Sequence, residues 1–411
     1  MEIRPILSAL SRHKFAALLI VLEIAASCAI VCNAMFLIQQ RIGHMQRPSG
    51  VDETHLVVIK ADAIRRDGDA MAITRADLNA LRALPGVRSA AIVGQVPFGN
   101  SVWASGIRLN AEQTDATVNA TVNATNYMVG EDGLRTLGLK LLAGRDFSAD
   151  EYVDADASDA RLTFPSVILT QALARRLFTD GQAVGKSIYV FGNRPQRVVG
   201  VVARLVRPRD GDTPASYDEA MLLPGRSPYT NGSYLLNVTD PTRRDAVLAA
   251  AKQQLAEHGP RRIFLEKNNT TLQDLRARYY RNDRAMVGLL IGISALLLIV
   301  TGLGIVGLAS FWVQQRTQQI GIRRALGASR GQILRYFQTE NFLLASIGIV
   351  LGMLLAYALN LLLMSQYELP RLPLIYLPIG AVMLWLLGQL AVLWPAQRAA
   401  AVAPAVATRS V

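Results

Sequence analysis

The sequence has few of the residues that most often carry chemistry. Its 411 residues include two cysteines and four histidines, and only 18% are Asp, Glu, Lys or Arg. The histidines are scattered, without partners at metal-ligand spacing, so we predict no metal site. Cys28 and Cys32 stand four residues apart in one apolar run, which places them on one helix face but does not suit a disulfide. We expect both to be small apolar residues that face a neighbouring helix.

A phosphate-binding loop of the form G-x-x-x-x-G-K-[ST] is also absent from the sequence. Gly185-Lys186-Ser187 resembles the end of such a loop, but Asp180 stands where the first glycine is required. The segment follows a predicted helix, whereas a phosphate loop joins a strand to a helix. We expect a turn into a strand here and no ATPase in this chain. No nucleophile, metal site or carboxylate pair stands out in residues 39–284, which gives a membrane-anchored enzyme little support.

The chain is too apolar for an ordinary soluble enzyme, because 51% of its residues are hydrophobic, yet it is too polar to lie mostly in lipid. These proportions favour a membrane protein with a large water-exposed part. The net charge of +12 would suit nucleic acid, but residues 39–284 hold 32 basic and 27 acidic residues without a dense basic stripe. We therefore expect no nucleic-acid partner.

Four apolar runs are long enough to cross roughly 30 Å of hydrocarbon. We place transmembrane helices at residues 15–38, 285–313, 338–364 and 374–394. The first run is longer than the apolar core of a signal peptide and ends without a small-x-small cleavage site, so we interpret it as an uncleaved anchor. Glu23 lies within this run. Its carboxylate either reaches headgroups or a neighbouring helix, or takes part in proton or substrate movement.

Basic residues set the predicted topology. Three precede the first span, five lie between the second and third, and two follow the fourth. By the positive-inside rule, residues 1–14 (an amphipathic segment on the membrane surface), 314–337 and 395–411 are cytoplasmic. The domain 39–284 and the short loop 365–373 then lie outside. Glycines of the second and third spans permit close helix packing: Gly288, Gly292, Gly302, Gly304, Gly307, Gly348 and Gly352.

Residues 39–284 have the turn spacing of a folded α+β domain. The predicted helices are Thr74–Leu84, Asn126–Leu137 (closed by Gly138), Gln171–Phe178 and Pro241–His258. The predicted strands are Thr54–Lys60, Val87–Val96, two within 102–125, Ser166–Thr170, Ile188–Phe191, Arg197–Leu205, Ser233–Asp240 and Arg262–Glu266. We interpret the acidic stretch from Asp150 to Ala160 as an exposed loop, because it lacks the glycine and terminal Glu of a calcium loop.

An amphipathic helical pattern begins at about Thr271 and runs without glycine or proline into the apolar segment that starts at Met286. This pattern predicts a continuous stalk between the external domain and the second span. A rigid helix of this kind can transmit displacement between the two sides of a membrane. The alternative is that the helix simply ends the domain.

The segment 314–337 is a basic island between two runs that are nearly free of charge. It contains no Asp or Glu and five arginines: Arg316, Arg323, Arg324, Arg330 and Arg335. Ile320, Ile322 and Leu326 form an apolar set beside the arginines, and such a combination can make a short helix that docks in a groove on a partner. From composition alone, a positive loop lying on lipid headgroups is the simpler interpretation.

Residues 316–328 read RTQQIGIRRALGA and are followed by Ile333-Leu334 and Glu340. They resemble the pattern E-R-T-x-E-I-G-I-R-R-A-L-G-A, with its downstream Glu, of the FtsX/MacB-type permease subunits of ABC transporters. Segments similar to the periplasmic core domain of that family are Gly138–Phe147 (GLKLLAGRDF), Arg176-Leu177-Phe178, Val184-Gly185-Lys186 and Val198–Val202 (VVGVV). The tail, with PAQRAA from Pro395 and a late Pro404, resembles the usual ending of the family.

The resemblance covers nearly the whole chain and implies a four-span permease of the bacterial inner membrane that is not itself an enzyme. It implies a dimer with a second copy or a paralogue, and a separate cytoplasmic ABC ATPase that binds the ATP and Mg²⁺, so that no cofactor is bound directly. ATPase closure would move the periplasmic domain and drive export or efflux of periplasmic substrates (mechanotransmission). A periplasmic adaptor and an outer-membrane channel are further expected partners. The alternative is a non-transporting FtsX-like signalling subunit that regulates a cell-wall hydrolase.

The resemblance also assigns ATPase coupling to nine residues: Ile320, Gly321, Ile322, Arg323, Arg324, Ala325, Leu326, Gly327 and Ala328. Two positions depart from the pattern, because Gln315 and Gln319 stand where the family usually has Glu. If those carboxylates pair with the ATPase or with the arginines, their replacement alters coupling. The chain would then be the less typical half of a heterodimer.

Overall fold

The computed structural model of the chain describes residues 14–64, 69–99, 101–111, 122–155, 162–209, 214–367 and 371–401. The chain divides into a helical unit, up to Gln46 and from Asn282 onward, and an α/β unit from Arg47 to Arg281. This confirms the predicted architecture of four apolar helices with a large α+β domain between the first and second. Parts of five predicted segments lie outside the described residues: 1–13 of the N-terminal segment, 112–121 of the region 102–125, 156–160 of the acidic stretch, 368–370 of the short loop and 402–411 of the tail.

In the described residues the α-helices are α1 (Lys14–Met45), α2 (Ala70–Arg82), α3 (Gly133–Leu137), α4 (Gln171–Leu177), α5 (Arg244–Glu257), α6 (Leu272–Tyr279), α7 (Arg281–Gln315), α8 (Thr317–Ala325), α9 (Arg330–Tyr367) and α10 (Tyr376–Ala400). The strands are β1 (Leu56–Ile59), β2 (Asp62–Ala63), β3 (Val87–Val93), β4 (Ala104–Ile107), β5 (Val122–Val129), β6 (Leu141–Gly144), β7 (Val153–Asp154), β8 (Ser166–Thr170), β9 (Ser187–Ile188), β10 (Gln196–Val202), β11 (Ala220–Arg226), β12 (Ser233–Val238), β13 (Arg262–Ile263) and β14 (Thr270–Thr271).

Four of these helices are long and apolar enough to cross a membrane. The candidate spans are Ala17–Met45, Arg281–Gln315, Arg330–Leu362 and Tyr376–Ala400. Each overlaps one of the predicted spans. The helices extend beyond the predicted spans because helical hydrogen bonding continues past the apolar run into polar turns, which hydropathy alone does not detect.

The helical unit packs α1 closely against α9. A Cβ placed on Gly352 would lie 2.4 Å from Cys28 Cβ, and one on Gly348 would lie 2.9 Å from Ile24 Cβ, so both positions require glycine for this approach. Cys28 and Cys32 are free and fully buried, and the Cys28 thiol donates to the Ile349 carbonyl. The expectation that the cysteines face a neighbouring helix is confirmed.

Polar side chains inside the helical unit bond to neighbouring helices. Asn33 Nδ2 donates to the Ala29 and Ala356 carbonyls at 3.0 Å each, and the Ser27 and Thr301 hydroxyls lie 2.7 Å apart. The Glu23 carboxylate faces α7 at Gly304, where a Cβ would lie 2.6 Å from both carboxylate oxygens. Of the two interpretations of Glu23, this position fits contact with a neighbouring helix.

The α/β unit is built on one large mixed sheet. Within the described residues its main path is β14-β1-β12-β3-β5-β11-β8-β10-β6, with β4, β7 and β9 paired to β5, β11 and β10. Helices α2 and α5 bury Leu81 and Ala251 against β1, β3 and β12. Helix α4 buries Leu173 with the apolar side chains of β8, β10 and β11.

One predicted helix is partly a strand. The prediction of a helix over Asn126–Leu137 is wrong for its first four residues, which end β5, and the helix is confined to α3. Strand β5 pairs with β3, β4 and β11, and its last six residues are all buried. A strand that is buried on both faces lacks alternation, so a short apolar run does not distinguish it from a helix. Gly138 closes α3 with φ of 70°, as predicted.

The central strand β11 was not predicted, because Pro224 and Gly225 lie inside it. It pairs parallel to β5 and antiparallel to β8. Its pairs with β8 are confined to Met221 and Leu222, so Pro224 lies beyond them. There the missing N–H of proline does not break the ladder to β8.

The predicted continuous stalk is interrupted at Tyr280. Helix α6 ends at Tyr279 and α7 begins at Arg281, so the prediction of one unbroken helix from Thr271 is wrong. The Tyr280 side chain is buried, its ring centroid lies 5.9 Å from that of Phe98, and its hydroxyl lies 3.3 Å from that of Tyr217. Burial of this aromatic ring within the α/β unit accounts for the break in a sequence without glycine or proline.

Candidate ATPase-coupling segment

The basic island forms a short helix between two candidate spans. Helix α8 follows the end of α7 after one residue, Arg316, and ends at Ala325, with Leu326 as its C-terminal cap. Gly327 then adopts a φ of 97°, its N–H donates to the Arg324 carbonyl, and the Ala328 N–H donates to the Arg323 carbonyl. This left-handed glycine stops the helix and directs the chain into α9.

The apolar residues of α8 lie on two different sides. Ile320 is only 6% exposed and packs with the helical unit, and Gly321 beside it is also buried. Ile322 is 48% and Leu326 84% exposed, and their four-residue spacing puts them on one face. Of the apolar set named from the sequence, two residues therefore form an outward pair, and Ile320 fixes the helix from within.

Arg316 anchors the start of α8 to α9. Its Nη1 donates to both Glu340 oxygens at 2.9 and 3.0 Å, and its guanidinium lies 6.0 Å from the Trp312 ring centroid. The side chains of Arg316 and Glu340 are 13% and 2% exposed. Both residues belong to the motif found in the sequence, but their pairing was not predicted. A contact between residues 24 positions apart leaves no local signal in the sequence.

Two further arginines hold α8 in place. The Arg323 guanidinium lies 5.2 Å from the Tyr336 ring centroid on α9, a cation–π distance. Arg324 Nη1 donates to the Ala400 carbonyl at the end of α10 at 2.8 Å. Helix α8 is thus attached to both α9 and α10, so a displacement of α8 acts on two candidate spans.

A groove of about 240 Å³ lies between α8 and the first turns of α9. We call it the interfacial groove; it is lined by Arg316, Gln319, Ile320, Arg323, Ala328, Gln332, Ile333, Tyr336 and Phe337. Of the two positions that depart from the family pattern, Gln319 lines the groove, whereas Gln315 is exposed at the end of α7. The groove did not emerge from the sequence because it is formed by residues of two helices.

The segment is equipped to bind rather than to react. It offers an exposed apolar pair, guanidinium groups and amides. Among the described residues, no group of three His, Cys, Asp or Glu side chains could hold a metal ion. The arrangement suits contact with another molecule through apolar area and positive charge.

Two family profiles together cover most of the chain. Residues 17–255 match the family described as MacB-like periplasmic core domain. Residues 291–404 match the family described as FtsX-like permease C-terminal. The first match alone spans more than half of the 411 residues, and the second includes the whole of α8.

Individual relatives carry related names. The chain is 32% identical over 251 residues to the macrolide export ATP-binding/permease protein MacB of Chromobacterium violaceum, covering 59% of this chain and 36% of that protein. It is 26% identical over 306 residues to the uncharacterized ABC transporter permease YknZ of Bacillus subtilis, covering 74% and 72%. The chain thus spans only about a third of the MacB protein that it matches. The periplasmic region of MacB from Actinobacillus actinomycetemcomitans aligns over 57% of this chain and 97% of that structure, at 16% identity and a TM-score of 0.33.

Proposed function

The chain belongs to the family of ABC transporter permeases that combine a MacB-like periplasmic core domain with an FtsX-like permease domain, and from this premise we propose that it couples ATP hydrolysis to export. The ATP is hydrolysed by a separate cytoplasmic ABC ATPase, and the permease transmits the resulting motion. The exported molecules are periplasmic substrates. The Chromobacterium relative is named a macrolide export protein, and this name supports efflux as the function of this chain.

The exposed pair on α8 is the observation that carries this proposal. Leu326 is 84% exposed and Ile322 48% exposed, in a short helix between two candidate spans. An apolar pair that the described residues leave exposed, and that arginines flank, fits a shallow groove on a partner protein. In the proposed assembly, that partner is the ATPase, and the segment is cytoplasmic together with both termini, as the distribution of basic residues favours.

The attachments of α8 support a mechanical role. The Arg316–Glu340 pair joins the start of α8 to α9, and the Arg324 bond to the Ala400 carbonyl joins it to α10. ATPase closure would therefore move a packed set of helices rather than a free loop. A dimer with a second permease copy or paralogue, a periplasmic adaptor and an outer-membrane channel complete the proposed transporter.

Copurification tests the proposal. We expect the tagged full chain, extracted in mild detergent with its natural partners, to retain ABC ATPase activity that Leu326→Asp or Ile322→Asp abolishes. Because both side chains are exposed, neither change should disturb the fold. Leu142→Asp is the matched control, since Leu142 is a 43% exposed leucine in the α/β unit and should leave the retained activity unchanged.

Retention of ATPase by both α8 variants would refute docking through this pair. Deletion of the chain should also make cells more susceptible to exported compounds such as macrolides. A change in cell-wall hydrolysis without any change in susceptibility would favour the signalling alternative instead.

A further inference from the structure

We propose that the interfacial groove binds the phosphate headgroup of an anionic phospholipid. The groove lies between the last residue of one candidate span, Gln315, and the first turns of the next, which begins at Arg330. The apolar runs predicted to span the membrane end at residue 313 and resume at residue 338, so we place the groove residues just beyond the hydrocarbon, beside the lipid headgroups. A lipid of the surrounding membrane reaches this depth without leaving the bilayer.

The charge of the groove complements a phosphate. Glu340 neutralises Arg316, but no carboxylate of the described chain lies within ion-pair distance of Arg323, which is exposed and stacks on Tyr336. The described lining contains no carboxylate, and Gln319 and Gln332 contribute only amides. The groove therefore presents one uncompensated positive charge beside neutral hydrogen-bond donors, which matches an anionic headgroup.

The apolar floor of the groove favours a lipid over a free phosphate. Ile320, Ile333 and Phe337 are 6%, 6% and 5% exposed and form the buried side of the groove. The glycerol and first methylene groups of a lipid would cover this floor, whereas an inorganic ion would leave it wet. A volume of 240 Å³ equals roughly eight water molecules, enough for a headgroup phosphate and a few methylene groups but small for a folded peptide.

The site differs from the proposed ATPase contact. Ile322 and Leu326 are not among the lining residues, so α8 can hold a lipid on one side and present this pair to the ATPase on another. Of the nine residues that the resemblance assigns to coupling, Ile320, Arg323 and Ala328 line the groove. The inference therefore does not depend on the proposed function. A bound headgroup would attach α8 to the membrane surface through Arg323 as well as to α9.

Native mass spectrometry of the purified full chain, without ATPase, tests the proposal. We expect phosphatidylglycerol to bind more tightly than phosphatidylcholine with the same acyl chains. Arg323→Gln removes the free charge and Gln319→Glu adds a carboxylate to the groove, so each should weaken phosphatidylglycerol binding by about tenfold. Arg330→Gln and Gln318→Glu make the same charge changes at exposed positions outside the groove and should leave binding unchanged.

Three results would overturn the proposal. The first is equal binding of the two lipids, or equal losses in the control variants. The second is competition by inorganic phosphate as effective as that by phosphatidylglycerol, which would assign the groove to a free ion. The third is loss of ATPase copurification in Gln319→Glu with lipid binding unchanged, which would assign the groove to the ATPase. If Leu326→Asp instead keeps both ATPase and lipid, the proposed function fails and this inference stands.

Discussion

The α/β unit and the helical unit both bury an arginine–carboxylate pair, and the two pairs have different surroundings. In the α/β unit, Arg262 donates to both Asp77 oxygens at 2.5 and 2.8 Å, and its side chain is fully buried. Asp77 also accepts from the Tyr234 hydroxyl, and the Tyr229 ring lies 4.8 Å from the guanidinium. In the helical unit, the Arg316–Glu340 pair is 13% and 2% exposed, with the Trp312 ring at 6.0 Å.

The difference indicates two roles for the same chemistry. Asp77 and Arg262 are 185 positions apart, and with Tyr234 they connect α2, β12 and β13. Removing either member would leave a charge inside a folded core. The Arg316–Glu340 pair joins one end of a nine-residue helix to its neighbour. We infer that the first pair maintains the fold, whereas the second fixes the position of α8.

The largest expected effect concerns the α/β pair. Asp77→Ala should destabilise this unit by about 3–5 kcal/mol, because Arg262 is left buried without its counter-ion. For a unit of this size the melting temperature should fall by roughly 10 °C, measured by near-UV circular dichroism of the full chain in nanodiscs. Arg75→Gln breaks the ion pair between Arg75 and Asp154, whose side chains are 57% and 43% exposed respectively. This control should lower the melting temperature much less. Equal falls in melting temperature for Asp77→Ala and Arg75→Gln would contradict the inference that the buried pair maintains the fold.

The second effect concerns the helical pair. Glu340→Gln keeps the shape of the side chain but removes its charge, weakening the bonds to Arg316 by about 1.5–3 kcal/mol. We expect faster amide hydrogen exchange in α8, with exchange in the sheet of the α/β unit unchanged. Arg335→Gln alters an exposed arginine five residues earlier on α9 and serves as the control. Unchanged exchange in α8 would show that this pair does not fix the helix.

The smallest effect concerns an ion pair at the surface of the α/β unit. Arg145 donates to both Glu151 oxygens at 2.7 and 2.9 Å and lowers the pKa of that carboxyl from 4.5 to about 2. A lowered pKa stabilises the fold above pH 4.5, and this contribution is lost as the pH falls toward 2. Since Arg145 is 54% exposed, solvent screening keeps the contribution below about 1 kcal/mol.

The melting temperatures of the full chain and Glu151→Gln should therefore differ slightly at neutral pH and converge in acid. A difference that widens as the pH falls would contradict the assigned sign.

The same pair explains part of the motif GLKLLAGRDF. Gly144 has φ of 78° and lies so close to the Val199 carbonyl that a Cβ would be 2.1 Å from its oxygen, so this position requires glycine. Arg145, the next residue of the motif, forms the bond to Glu151.

The sequence predicted features that depend on local composition. The four apolar helices, the strand Ser166–Thr170 and the Gly138 helix end were accessible because hydropathy, β-branched runs and glycine act over a few residues. The helix predicted over Asn126–Leu137 failed where β5 is enclosed by neighbouring strands. Strand β11 was missed because Pro224 and Gly225 are read as a turn unless the strand partners are known.

The candidate site was predictable as a segment but not as a geometry. Motif resemblance located residues 320–328, and the apolar spacing predicted that a short helix forms there. Which of Ile320, Ile322 and Leu326 faces outward depends on how α8 packs on α9, which local pattern does not specify. The Arg316–Glu340 pair and the interfacial groove both require two helices to be placed together, so neither has a signal within one stretch of chain.

The burial of the two thiols has a practical consequence for labelling. The sequence contains no cysteine other than Cys28 and Cys32, and both are fully buried against neighbouring helices. Buried structural thiols react slowly with maleimides and disulfide reagents. A cysteine introduced at Leu326 or Ile322 can therefore be modified selectively without first removing the native ones. Spin labels, fluorophores and cross-linkers on α8 thus become available in an otherwise unaltered chain.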